Sequence, residues 1–233
     1  MQSTFAIDLS VDWTNGTVTA TTNLMPSNFN FTRQPALWYD SFSGNASLWG
    51  GWAYTGSTGY WTFRHDTTNK DVVTWAKGPL PEVKGSTILP PIFATIVQSP
   101  TKLYYYGGKA DFTEPNGNLN QFRGLVTYDF SSHSWINSSQ PSAWESSGIS
   151  GRSLLGEGYY VPTFGASGVL LFLGGFQNED GPDLAVVDME SVVIYDIGSD
   201  NWYQQKVSGD SPGGRAAFCL TGASADDNSS FEV

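Results

Sequence analysis

Apolar residues in this chain come in short bursts rather than at helical spacing. Lys102-Leu103-Tyr104-Tyr105-Tyr106-Gly107-Gly108 and Leu170-Leu171-Phe172-Leu173-Gly174-Gly175 are near-continuous apolar runs, each closed by a glycine pair. Runs of that length bounded by turn residues read as buried strands. After a variable loop, each is followed by a strand ending in Tyr-Asp, and then by a tryptophan. These are Val126-Thr127-Tyr128-Asp129 with Trp135, and Val193-Ile194-Tyr195-Asp196 with Trp202. In both copies the second glycine precedes the tryptophan by 27 residues and the aspartate precedes it by 6. A weaker copy runs through Ser47-Leu48-Trp49-Gly50-Gly51, Tyr60-Trp61-Thr62-Phe63 and Trp75, with Arg64-His65-Asp66 where Tyr-Asp is expected. A partial copy, Phe5-Ala6-Ile7-Asp8 with Trp13, opens the chain.

Successive glycine pairs lie 57 and 67 residues apart, from Gly51 to Gly108 to Gly175. Each unit predicts four short strands: an inner one (Ile92 to Val97; Tyr160 to Phe164), the Gly-Gly strand, the Tyr-Asp strand and an outer Trp strand. A glycine pair allows positive φ and close approach of a neighbouring backbone. Tyrosine and tryptophan supply large faces to fill the wedge between adjacent sheets. A four-stranded sheet repeated radially is a β-propeller.

The Gly-Gly, Tyr-Asp and Trp pattern resembles the kelch repeat. Leu37-Trp38-Tyr39-Asp40, Leu125-Val126-Thr127-Tyr128-Asp129 and Gly209-Asp210-Ser211-Pro212-Gly213-Gly214-Arg215 are similar to secreted or membrane-anchored kelch proteins of filamentous fungi. The resemblance implies an all-β, kelch-type propeller of four-stranded blades. One propeller region over 1–233 is expected: a partial blade 1–33, blades 34–88, 89–145 and 146–208, and the start of a further blade at 209–233. Full-length members of that family have six or seven blades, so the ring is expected to be incomplete and the sequence a piece of something longer. In that setting Cys219 pairs with a partner outside this stretch or stays a buried free thiol.

Composition narrows the function classes. Lys and Arg number 11 against 22 Asp and Glu, for a net charge of −11, which argues against a phosphate-tracking nucleic-acid protein. No run approaches 18 apolar residues, so no direct membrane insertion is expected from this segment. A single cysteine leaves no internal disulfide and no cysteine-based zinc site. Met1 to Asp8 has neither a basic nor an apolar targeting region. Five Asn-x-Ser/Thr sequons, at Asn15, Asn30, Asn45, Asn137 and Asn228, nevertheless point to a secreted, glycosylated surface.

Several short motifs share letters with catalytic or binding sites. Gly209-Asp210-Ser211-Pro212-Gly213 matches a nucleophile elbow in letters, but proline and glycine follow where a helix is required. Gly151 to Gly158 lacks the lysine of a phosphate loop and reads as a turn-rich linker. His65 and His133 fall in different units, so neither suggests a metal site. The acidic loop carrying Glu179, Asp180 and Asp183 and continuing to Asp188 and Glu190 is the candidate ligand-binding feature, able in principle to hold Ca²⁺ or a sugar. The expectation is a non-catalytic scaffold for a protein or glycan partner at the cell surface or outside the cell, with no cofactor and no metal. A carbohydrate-active or copper-radical-oxidase-type enzyme, and an intracellular kelch adaptor, are the alternatives.

Overall fold

A computed structural model describes residues 3–8, 10–30, 32–53, 59–66, 69, 72–84, 86–88, 92–109, 124–137, 153–177, 185–227 and 229–232. Among these residues there is no helix, and three four-stranded antiparallel sheets follow one another along the chain. The first blade comprises Ala36–Asp40, Asn45–Trp49, Tyr60–His65 and Val73–Gly78. The second comprises Thr95–Gln98, Lys102–Tyr106, Leu125–Asp129 and Ser134–Asn137, and the third Glu157–Val161, Val169–Leu173, Ser191–Asp196 and Asn201–Lys206. In each, the strands pair in sequence order, from innermost to outermost. The chain divides into two compact units, Met1–Leu80 and Pro81–Val233.

In the second unit the core lies between two sheets. Val97, Tyr104, Tyr106 and Leu125 of the second blade form one buried cluster with Leu170, Phe172, Tyr195 and Trp202 of the third. The Tyr106 ring stands 4.4 Å from Phe172 and 5.3 Å from Trp202, centroid to centroid. Leu103 and Tyr105 point to the opposite face of the same strand and are also buried, which explains why Leu103–Tyr106 is apolar at every position. Burying a side chain of this size contributes roughly 1.5–3 kcal/mol. Burial also pushes the Tyr104 hydroxyl up to about 12, and those of Tyr106 and Tyr195 higher still, so all three stay neutral.

The glycine pairs follow the second strand of each blade and lie against neighbouring backbone. Gly107 and Gly108 have φ of 67° and 88°, and Gly174 and Gly175 have 58° and 91°. A Cβ on Gly107 would collide with the Ser153 backbone, while the Gly108 amide donates to Ser153 O at 2.7 Å. One repeat later, a Cβ on Gly174 would meet Arg215 O at 2.6 Å, and the Gly175 amide donates to Arg215 O at 2.8 Å. The first pair, Gly50 and Gly51, is left-handed too, at 76° and 79°, and stands against Thr32 and Arg33.

A second periodic feature left no mark in the sequence pattern. Phe93, Leu155 and Ala217, spaced 62 residues apart, adopt left-handed backbone at φ 61°, 56° and 53°. The Leu155 amide donates to Phe93 O and the Ala217 amide to Leu155 O, both at 2.8 Å, so the three form a hydrogen-bonded ladder across the innermost edges. These bonds hold a conformation that costs a non-glycine residue about 1–2 kcal/mol.

Three strand expectations need correction. Ile92 to Val97 is broken at left-handed Phe93; Ile92 bridges Lys109 and the inner strand is Thr95–Gln98. The third inner strand is Glu157–Val161 rather than Tyr160 to Phe164, because Pro162 offers no amide to continue the ladder. At the start of the chain Ser3–Ile7 pairs with Ala20–Leu24, while Trp13 lies in the connection, exposed, and forms no outer strand.

Candidate functional site

The outer hairpins show how the blades are alike and where one differs. In each, an aromatic residue of the third strand pairs across to the outer tryptophan: Phe63 with Trp75 at 4.5 Å, Tyr128 with Trp135 at 4.7 Å, and Tyr195 with Trp202 at 4.9 Å. Phe63-Arg64 therefore occupies the Tyr-Asp position of the first blade, not the Arg64-His65-Asp66 triplet expected there.

In the second and third blades the aspartate builds the turn. Asp129 Oδ1 accepts the amides of Ser131 and Ser132 at 3.0 Å each and the Ser131 hydroxyl at 2.7 Å. Those bonds, the Ser131 hydroxyl's first, hold the Asp129 carboxyl down at about 2. Asp196 accepts the Gly198 amide and the Ser199 hydroxyl, both at 2.9 Å, and its carboxyl is likewise lowered. The tyrosine closes the same turn. Tyr128 Oη shares a hydrogen bond with His133 Nδ1 at 3.1 Å, and Tyr195 Oη donates to Asp200 Oδ1 at 2.6 Å. Both turn partners are left-handed, with φ of 52° and 56°.

The first blade has no such turn at Arg64. Its strand continues to His65, and the turn-building carboxylate comes at Asp66, whose Oδ1 accepts the Asn69 amide at 3.0 Å. The Asp66 amide donates to Val72 O at 2.9 Å and closes the longer loop. Pairing places Thr62 opposite Ala76 and Arg64 opposite Thr74. With Asn45, His65 and Asp66 these residues line an open groove of about 450 Å³ on that blade. The guanidinium carbon of Arg64 lies over the Gly44 turn, 3.6 Å from where a Cβ on Gly44 would stand. The groove can offer a cation, an anion, an amide and hydroxyls to one small ligand.

No family model matches the chain. A fungal relative, "Kelch repeat-containing protein" of Arthroderma benhamiae, is 35% identical over 99 residues, which are 42% of this chain and 14% of that protein. These are kelch-type blades. The chain thus matches a small part of a much longer relative.

The remaining candidates can be placed on the kelch-type scaffold. Glu179, Asp180 and Asp183 lie outside the described residues. Asp188 and Glu190 are exposed and belong to one turn leading into Ser191–Asp196, where Asp188 Oδ1 accepts the Glu190 amide at 3.0 Å. Of the sequons, Asn15, Asn30 and Asn137 are exposed, Asn45 is half-buried in the groove, and Asn228 lies outside the described residues. His65 ends a strand and His133 serves its turn. Among the described residues, no three His, Cys, Asp or Glu side chains converge as a metal would require. Cys219 is exposed, so a buried thiol is not its state. Ser211 of the elbow-like motif is exposed and hydrogen-bonds Pro212 O at 3.2 Å, with no helix after it.

The groove's features were visible in the sequence only as a break in the repeat. Arg64, Thr62 and Thr74 carry no motif, and their shared face follows from strand register.

Proposed function

We propose that this chain is a non-catalytic kelch-type scaffold that binds a protein or glycan ligand, outside the cell or at its surface. One observation carries the reading: the ionisable residues recurring from blade to blade are used in folding. Asp129 and Asp196 are tied to turn amides and hydroxyls, and Tyr128 and Tyr195 are buried and close the same turns. Arg64, which stands in the first blade where the others carry that aspartate, is exposed and polar, as expected where a rigid framework displays binding groups. The exposed Asn15, Asn30 and Asn137 sequons support the extracellular setting.

The test has two parts. Polysaccharides and secreted host proteins are screened for binding, and the same mixtures are assayed for new reducing ends. Binding without turnover is expected; turnover that scales with the amount of this chain would overturn the scaffold reading. Protein recovered from its native host should also gain mobility after N-glycan removal, and unchanged mobility would count against the extracellular setting.

A further inference from the structure

The groove on the first blade combines groups that no single simple ion would satisfy. Arg64 is exposed, and its guanidinium has no hydrogen-bond or ion-pair partner among the described residues, in a chain of net charge −11. Asp66 lines the same groove, with its carboxylate fixed by the Asn69 amide. A doubly charged anion drawn to Arg64 would be repelled by Asp66. An apolar peptide would find little beyond Ala76 and Phe63. A ligand bearing one carboxylate among several hydroxyls suits both charges. Its carboxylate matches the planar guanidinium fork of Arg64. Its hydroxyls can donate to Asp66 and exchange hydrogen bonds with Thr62, Thr74 and the Asn45 amide. The volume, about 450 Å³, lies within the usual range for small-ligand sites, roughly 300–1,000 Å³.

From this geometry we infer that the groove binds an acidic sugar, a uronic-acid unit of a glycan, with Arg64 as the carboxylate-recognising residue. The inference rests on the scaffold reading and names a ligand class for it. It also makes two uses of one residue exclusive: a glycan attached at Asn45 would be rooted in the groove and would block it.

Titration calorimetry tests the inference on the full chain made in a host that adds no N-glycans. The probes are an oligogalacturonate, the neutral galactose oligomer of the same length, and oligoglutamate. Wild type is expected to bind the oligogalacturonate. Arg64→Gln should weaken that binding at least about tenfold, as loss of a charged hydrogen bond does, and Arg64→Lys should restore part of it. The neutral oligomer should bind about as poorly to wild type as the acid does to Arg64→Gln. Because Arg64 is exposed, the Arg64→Gln variant should unfold at the wild-type temperature, and this is checked first.

No binding of the oligogalacturonate, equal binding by wild type and Arg64→Gln, or tighter binding of oligoglutamate than of the sugar acid would each overturn the inference. Failure of the broader reading shows differently. Release of reducing ends during the titration would break the scaffold reading, whereas binding that ignores Arg64 would break only this site.

Discussion

The outer hairpin of the third blade and that of the first bring an aromatic ring and a tryptophan together at nearly the same distance, 4.9 and 4.5 Å. At the next residue they part. Asp196 ties its carboxylate to the turn, whereas Arg64 projects from the sheet into an open groove and leaves turn-building to Asp66, two residues on. Moving the turn outward by two residues keeps every side chain on its original face, because the strand period is two. The repeat can therefore change function at its rim without disturbing its core. The comparison teaches that the residues giving a repeat its sequence signature are those occupied in folding, and that binding capacity is to be sought where the signature fails.

The largest expected effect probes the shared part. Trp202 is buried against Tyr106, Phe172 and Tyr195, so Trp202→Ala should lose about 3–5 kcal/mol in urea unfolding. Trp75, only half-buried, should lose clearly less in the same substitution. Equal losses would mean that the stacks differ in more than their edges.

Next comes the tyrosine's polar tip. Tyr195→Phe removes the hydrogen bond to Asp200 and should cost about 1 kcal/mol. Phe63→Tyr in the first blade should gain nothing, since the strand runs on to His65 and, among the described residues, no turn at Arg64 receives the hydroxyl. A stabilised Phe63→Tyr would break the contrast.

Acid unfolding sharpens it further. The Asp129 carboxyl titrates at about 2 in the fold against an ordinary 3.8. The unfolded chain therefore binds this proton first as pH falls. The stability Asp129 contributes is complete above about pH 4 and is lost between pH 4 and 2. Asp129→Asn should flatten the stability curve over that window, while Arg64→Gln should leave its shape unchanged. The effect is small because solvent screens a carboxylate near the surface.

The smallest expected effect concerns the inner ladder. Ala217 is exposed and left-handed, so Ala217→Gly should relieve backbone strain and raise stability by a few tenths of a kcal/mol after the added unfolded-state entropy is subtracted. A destabilised variant would mean that the ladder itself is not strained.

The strand order of the blades could be read from the sequence because its carriers are chemically extreme. Gly107-Gly108 and Gly174-Gly175 stand where any Cβ would strike backbone, and Trp135 and Trp202 stand opposite tyrosine. Residues that only one geometry tolerates leave a spacing behind. Phe93, Leu155 and Ala217 share a conformation but no chemistry, because backbone hydrogen bonds hold them, so no letter pattern marks them. The bounds of the third inner strand are hidden for a related reason. Tyr160, Val161 and Phe164 look alike as apolar residues, and only Pro162 between them shows where pairing stops. The groove was legible as a departure, Arg64-His65-Asp66. Assigning its parts required the register, which equates Arg64 with Asp129 and Asp196 and makes Asp66 the displaced turn residue.

The most direct measurement is a side-by-side urea titration of wild type, Asp196→Asn and Arg64→Gln. If the repeating aspartate serves folding and its replacement serves binding, Asp196→Asn, which leaves the turn donors only a neutral acceptor, should lower unfolding free energy, and Arg64→Gln should overlay wild type. An Arg64→Gln curve displaced as far as that of Asp196→Asn would show that Arg64 is a structural residue and would contradict the division between scaffold and groove.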